Sequence, residues 1–331
     1  DLAGNSIAST VSCSFTYDTT APTVTLSDAD DDNLLATSDT VTITALFNEA
    51  MTSTPTISIS GTSISNQVMT KIITSIGTPT LFGDIDGEAQ GDESSAGEDG
   101  DGISFSANGL RVAIAAKKNN GIVFDPGGNG ADRQKGHVRI YDYNGSAWEQ
   151  VGGDIDGERG TPPNNSNIRG DLSGWSVSLS ADGTRVAIGA PNNDSNNNSY
   201  SHDSGHVRVF QYQVISGTVT WTQIGDDIDG EEYGDRSGSS VSLSADGTIL
   251  AVGAEANDGA NGSDSGHVRV FQYQVISGTA TWTQLGQDID GEAAGDGSGR
   301  SVSLSSDGTR VAIGAPLNDG NGSNSGHVRI Y

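Results

Sequence analysis

The segment Ser176–Pro191, SVSLSADGTRVAIGAP, returns at Ser301–Pro316 as SVSLSSDGTRVAIGAP, with Ala181 to Ser306 as its one change. A chain that repeats itself this closely must fold as a series of equivalent units, because like sequences meet like local requirements. The phrase DIDG begins at Asp84, Asp154, Asp227 and Asp288, and GHVR begins at Gly136, Gly205, Gly266 and Gly326. Fifteen residues, SGHVRVFQYQVISGT, are identical at Ser204–Thr218 and Ser265–Thr279. The GHVR spacings of 69, 61 and 60 set a unit of roughly 60 residues.

Each unit reads as four short strands. In the third they are Ser240–Ser244 (SVSLS), Ile249–Ala254 (ILAVGA), His267–Gln274 (HVRVFQYQ) and Thr281–Gly286 (TWTQLG), the last also present as Thr220–Gly225. No window keeps apolar residues at helical spacing for three turns, and 46 glycines with only 18% charged residues mark a turn-rich chain. The fold class is all-β. ADGT predicts a hairpin between the first two strands with both central residues at positive φ, and ISGT predicts a second hairpin between the third and fourth. Val177 and Leu179 alternate with serine, while Val186 and Ile188 alternate with alanine and glycine. Such a sheet is apolar on both faces and cannot hide them alone. Stacked radially on near-copies it becomes a blade of a β-propeller.

The period is missing before residue 76. Residues 19–75 alternate in strands between polar turns, which suits a β-sandwich, and residues 1–18 read as the last strands of a preceding module. The propeller units are then about 76–153, 154–226, 227–287 and 288–331. The chain begins without Met and stops just after a strand-like run, so it reads as part of a longer polypeptide with further domains on both sides and more blades after Tyr331.

The order of phrases resembles the FG-GAP repeats of integrin-type propellers. Gly174–Val177, Ile188–Pro191 and Gly205–Phe210 match its G-x-S-V, V-G-A-P and G-x-V-x-V-F strands, and the match recurs in the later units. Residues 19–61, with DTTAPTVTLS and FNEAM…PTISISG, resemble the bacterial Ig-like modules of surface adhesins. The resemblance implies an extracellular or cell-surface scaffold for adhesion or ligand binding, with a cell-surface or matrix protein or a glycan as partner, and often with Ca²⁺ in the blades. In that family the ion sits in an acidic loop between the first two strands. Here the place is taken by tight turns with one carboxylate each, Asp182, Asp246 and Asp307, too few oxygens for Ca²⁺.

Metal-ligand chemistry is richer in the acidic phrases. They supply Asp84, Asp86, Glu88 and Asp92; Asp154, Asp156 and Glu158; Asp227, Asp229, Glu231 and Asp235; and Asp288, Asp290, Glu292 and Asp296. Alternating carboxylates with glycine at the bend are the ingredients of an oxygen-rich Ca²⁺ site, and equally of solvated loops whose Asp side chains cap backbone N–H groups. The recurring His137, His206, His267 and His327 spread around a ring, which favours a strand-start hydrogen bond over a shared metal. Trp148, Trp221 and Trp282 are expected to pack between blades.

Sixteen basic against 43 acidic residues leave a net charge of −27, which opposes binding to nucleic acid or anionic membrane. Cys13 is the single cysteine, so no intrachain disulfide forms. No motif of a nucleophile, phosphate loop or zinc enzyme is present, and near-identical repeats favour architecture over a bespoke active site, so the expectation is a non-enzyme. A ligand loop is expected where the first unit departs from the others, at Lys117, Lys118, Asp125, Asp132 and Arg133. A glycan-processing propeller enzyme and a structural coat or fibre subunit are the alternatives.

Overall fold

The computed structural model describes residues 83–88, 92–94, 102–119, 134–158, 170–194 and 203–331, together with the backbone of four upstream strands. The chain divides into two compact units, Asp1–Thr80 and Leu81–Tyr331. In the first, β1 (Thr23–Asp28) pairs antiparallel with β2 (Val41–Leu46), and β3 (Thr56–Ile57) with β4 (Gln67–Val68). The rest of the expected Ig-like sandwich, and residues 1–18, lie outside the described residues.

The second unit is all-β, with four consecutive propeller blades and no helix among its described residues. Blade 1 comprises β5 (Ile103–Phe105), β6 (Arg111–Ala116), β7 (His137–Tyr143) and β8 (Trp148–Gln150), with the short β9 (Ile155–Asp156) also on β7. Blade 2 repeats the order in β10 (Ser176–Leu179), β11 (Arg185–Ala190), β12 (His206–Ile215), β13 (Thr218–Gln223) and β14 (Ile228–Asp229). Blade 3 holds β15 (Ser240–Leu243), β16 (Ile249–Ala254), β17 (His267–Ile276), β18 (Thr279–Gln284) and β19 (Ile289–Asp290). Blade 4 has β20 (Ser301–Leu304), β21 (Val311–Ala315) and β22 (His327–Ile330). The four expected strands are all present in the third unit. The extra strand is a finding: the outer edge of each of the first three sheets is split, and its second half is the central ID of the DIDG phrase, read from sequence as loop.

The turns differ from expectation in one respect. In ADGT only the glycine takes positive φ, at 70° for Gly183, 65° for Gly247 and 68° for Gly308. The aspartate instead folds back: Asp182 Oδ1 accepts from the Ser180 hydroxyl (2.7 Å) and from the Thr184 N–H (2.9 Å). This side-chain turn fixes the reversal without a second residue at positive φ. The doubly positive turn is at Ser-Gly, with Ser216 at 53° and Gly217 at 81°, and Ser277 at 55° and Gly278 at 84°. That geometry matches the twist of a long hairpin.

The cores lie between sheets. Ala113, Ala115, Val138 and Ile140 of blade 1 pack on Val177, Leu179, Val186, Ile188 and Phe210 of blade 2. The other face of blade 2, with Ala187, Val207 and Val209, packs on Leu243, Leu250, Val252 and Phe271 of blade 3. Alternation along each strand thus gives one bulky face and one lean face, and bulky meets lean at every seam. Blade 4 shows what an uncovered lean face looks like: Val328 is 66% exposed and Ile330 71%.

Polar hooks fix the register of each seam. The hydroxyls of Ser104, Ser178 and Ser242 accept from the N–H groups of Leu179, Leu243 and Leu304 at 2.9–3.0 Å. At the turns, Ala107 N–H donates to Ala181 O, Ala181 N–H to Ala245 O, and Ala245 N–H to Ser306 O, each at 2.8 Å. Trp221 Nε1 donates to Val151 O (2.8 Å) and Trp282 Nε1 to Ile224 O (2.9 Å), so these tryptophans pack between blades as their repetition suggested. Arg111 Nη1 and Arg185 Nη1 each reach the turn glycine of the next blade, Gly183 O and Gly247 O, at 2.9 Å.

In blades 2 and 3 a glycine of the second strand lies against the backbone of the next blade, at the position where blade 1 seats Ala115. A Cβ at Gly253 falls 2.0 Å from Gly299 O, and at Gly189 it falls 2.1 Å from Gly238 O. Both clashes are with backbone, so a Cβ at either position requires the next sheet to shift outward, as the seam holding Ala115 has done. Gly253→Ala is therefore expected to destabilise the protein by about 1–3 kcal/mol, the range for overpacked sites. In urea the unfolding midpoint falls with little change in slope; an unchanged midpoint refutes the close-approach argument.

Candidate functional sites at the blade seams and the inner-strand mouth

The H-V-R of each GHVR phrase opens the third strand of its blade. Strand alternation sends Val138, Val207 and Val268 into the cores and puts His and Arg together on the opposite face. His137, His206 and His267 are each 1% exposed. The strand-start hydrogen bond expected of them is not made: His137 Nδ1 stands 3.8 Å from Glu88 Oε2 and 3.8 Å from Asp154 Oδ2. His206 Nδ1 is 3.8 Å from Asp227 Oδ2, and His267 Nδ1 is 3.8 Å from Glu231 Oε2. These distances are beyond hydrogen-bond reach.

The result is three groups of converging ligand atoms, Glu88–His137–Asp154, Glu158–His206–Asp227 and Glu231–His267–Asp288, each within 4.8 Å. The glutamate follows the fifth strand of one sheet, or the 83–88 loop in the first case. The histidine and aspartate belong to the next sheet. In blade 4 the same pairing begins with Glu292 Oε2 3.4 Å from His327 Nδ1.

Each carboxylate is held by its other oxygen. Gln150, Gln223 and Gln284 donate through Nε2 to the Oδ1 of Asp154, Asp227 and Asp288 at 2.7 Å. Arg139, Arg208 and Arg269 stand by the Oε1 of Glu88, Glu158 and Glu231 at 3.5–3.7 Å, and Arg329 by Glu292 at 3.9 Å. The same arginines donate through Nη2 to the backbone carbonyls of Asp86, Asp156, Asp229 and Asp290. Burial pushes the pKa of all three histidines down, that of His206 to about 4, so the rings are neutral at pH 7.

The acidic residues of one phrase therefore serve different purposes. The first faces a histidine, the second lends its carbonyl to an arginine, the glutamate faces the next histidine, and the last closes the loop. Asp235 Oδ2 accepts from Glu232 N–H (2.8 Å), and Asp296 Oδ2 from Ala293 N–H (3.0 Å) and Asn318 Nδ2 (2.8 Å). Asp92 Oδ2 accepts from Asn119 Nδ2 at 3.2 Å. In unit 2 this part is played by Asp171, whose Oδ2 accepts from Glu158 N–H at 3.1 Å. Sequence reasoning passed over Asp171, although GDLSG parallels GDRSG and GDGSG. Asp84 occupies the first position of the phrase that precedes blade 1 and is exposed.

The turn aspartates do not fit the Ca²⁺ that the integrin resemblance places between the first two strands. Hydrogen bonds from Ser305 and Thr309 hold the Asp307 carboxyl down at about 2, and those from Ser244 and Thr248 lower Asp246 likewise. Their oxygens are committed to the turn.

The second site lies where the inner strands begin. Contacts run β5 to β10, β10 to β15 and β15 to β20, placing these strands side by side. A cavity of about 350 Å³ opens among Lys117, Lys118, Trp175, Pro191, Arg236 and Glu255, drawn from three blades. Lys117 is 2% exposed, and its Nζ lies 4.3 Å over the Trp175 ring. Lys118 pairs with Glu93 at 2.8 Å, and Glu255 lies 3.7 Å from Arg236 and 3.3 Å from Arg300. Of the expected ligand loop, Lys117 and Lys118 line this mouth; Asp125, Asp132 and Arg133 lie outside the described residues. Trp175, Arg236 and Glu255 were not singled out in the sequence. Their signal is a break in the repeat: Trp175, Ser239 and Arg300 are equivalent, as are Lys117, Pro191, Glu255 and Pro316.

Residues 289–331 match the model of the FG-GAP repeat family. No curated protein sequence matches the chain. Among solved structures, hydrazine synthase of Kuenenia stuttgartiensis is 13% identical with a TM-score of 0.38, over 69% of this chain and 57% of that one. The periplasmic gluconolactonase PpgL of Pseudomonas aeruginosa is 17% identical with a TM-score of 0.36, over 69% and 55%. A putative TolB of Agrobacterium tumefaciens is 13% identical with a TM-score of 0.33, over 70% and 56%. The chain thus spans a little over half the length of each.

The buried histidines make stability pH-dependent. With the folded pKa lowered below the ordinary 6.5, the unfolded chain binds more protons as pH falls below that value, down to about 4 for His206, so stability falls with pH through this window. The expected slope is at most about 1.4 kcal/mol per pH unit for each histidine. Chelator-treated protein followed by chemical denaturation should show it, and His206→Gln should flatten it. A flat profile from pH 6.5 to 4 excludes neutral buried rings.

Proposed function

We propose that the chain is a non-catalytic ligand-binding scaffold of an extracellular or cell-surface adhesive protein, holding its ligand at the inner-strand mouth. One observation carries the reading. The seams use positions that are the same in successive units, while the mouth is lined by positions that differ, so the freedom to vary is concentrated where a ligand can touch three blades. Binding sites on repeat folds need unlike side chains at one place, and only departures from the repeat supply them.

The chemistry of the mouth narrows the ligand. In a chain of net charge −27, it gathers Lys117, Lys118 and Arg236 beside Trp175. Lys118 and Arg236 stand against carboxylates, whereas Lys117 is held against an aromatic face and leaves its charge for an incoming anion. A carboxylated glycan combines the anion with the apolar sugar face that suits a tryptophan-lined cleft.

An array of uronate- and sialate-bearing glycans beside their neutral counterparts tests this. Binding should be confined to the acidic members and should weaken with salt. Lys117→Met should reduce it at least tenfold while leaving the far-UV spectrum unchanged. Equal binding of neutral glycans, or an unaffected Lys117→Met variant, refutes the proposal.

A further inference from the structure

We infer that each Glu–His–Asp group at the seams is a binding site for a divalent transition-metal ion, with Zn²⁺ as the representative, and that the ion ties adjacent sheets together. This goes beyond the ligand-binding reading and involves none of the residues at the mouth.

The histidine supplies the first argument. A fully buried imidazole ordinarily satisfies its nitrogens with hydrogen bonds. In His137, Nδ1 stands 3.8 Å from an oxygen of each of two carboxylates, and Nε2 has no partner either; in His206 and His267, Nδ1 stands 3.8 Å from one carboxylate, with the third ligand atom of each group within 4.8 Å. An ion bonded at about 2.0–2.2 Å to a nitrogen and an oxygen spans that separation at an open ligand angle. The gap is too wide for a shared proton and of the right size for a metal.

The surroundings supply the second. Metal-binding carboxylates are ordinarily steadied by a further hydrogen bond to the oxygen that does not face the ion. Gln150, Gln223 and Gln284 do this for the three aspartates at 2.7 Å, and Arg139, Arg208 and Arg269 stand at the outer oxygen of the three glutamates. The inner oxygens, Oδ2 and Oε2, are left toward the ring. The same three residue types converge at three seams, with the histidine buried in each.

The donor set decides the ion. One imidazole nitrogen and two carboxylate oxygens suit Zn²⁺ and its neighbours, with water in the remaining position, whereas Ca²⁺ takes six to eight oxygens. Two carboxylates, one neutral ring and one arginine leave the empty cluster with a charge of −1, so a divalent ion is accommodated without surplus repulsion. At the third seam Glu231, His267 and Asp288 line a cavity of about 310 Å³ that gives the ion a way in.

The test uses the full 331-residue chain stripped with EDTA and titrated with Zn²⁺, Ca²⁺ or Co²⁺. The expected result is three equivalents of Zn²⁺, a raised melting temperature, and Co²⁺ absorption bands in the visible that mark nitrogen–oxygen ligation. Asp227→Asn and Glu231→Gln, both at partly exposed side chains, should each remove one equivalent without unfolding the apo protein. Gln223→Ala, at a positioning residue, should weaken one site by about 10–100-fold while keeping the count at three. Zn²⁺ and Co²⁺ failing to bind, Ca²⁺ binding in preference to them, or stoichiometry unchanged in both carboxylate variants each overturns the inference.

Discussion

Everything in this molecule depends on the seam between two sheets. A blade presents Val186, Ile188 and Phe210 on one side and Ala187, Val207 and Val209 on the other. Neither face can remain in water without losing the main favourable term in folding. Bulky against lean is the packing that fills the space between twisted sheets, and it holds only while the two backbones come close. Gly189 and Gly253 give the closest approach, Ala115 serves at the first seam, and the serine hydroxyls and turn amides then lock the register. A repeat unit here is thus half of two cores and the whole of none.

The same constraint explains why the sequence is so nearly identical between units. A residue at a seam must suit both its own blade and the neighbour, and its equivalent must suit the next pair as well. Val207 and Val268 bear this double requirement, as do Trp221 and Trp282, each donating to a carbonyl of the preceding blade. Positions outside the apolar seam are released from it. Trp175, Ser239 and Arg300 differ at one such position, and their contacts are to the mouth residues Lys117 and Glu255 or to backbone.

What could be read from sequence followed the range of the interactions. The strands and the Ser-Gly turns rest on local alternation and on backbone preferences, and they were legible as printed. So was the need for stacking, since Val186 and Ala187 on one strand declare two buried faces. The Asp-Gly turn was misjudged because Asp182 satisfies it with its side chain, a choice that dipeptide identity does not reveal. The short outer strand was missed because Ile155–Asp156 sits inside an acidic phrase that looks like loop. The hardest case was the histidine. Its partners lie far along the chain, Glu88 before it and Asp154 after it, and they meet only because β9 returns to the start of β7. Repetition suggested that His137, His206 and His267 diverge around a ring, which is true of the histidines themselves; each finds carboxylates rather than its counterparts.

That last geometry bears on how the blades assemble. At the second and third seams the glutamate comes from one sheet and the histidine and aspartate from the next, so the three ligand atoms exist as a group only after two blades have docked. An ion bound there stabilises the docked state over the separated one by its full binding free energy, since the unfolded chain offers no such cluster. Glu158 and Glu231 sit at the exposed rim while the imidazoles are sealed beneath. Burial therefore sets the fold and the charged rim tunes it. In a chain carrying 43 acidic residues, Arg139, Arg208 and Arg269 beside the seam glutamates offset part of the negative charge there.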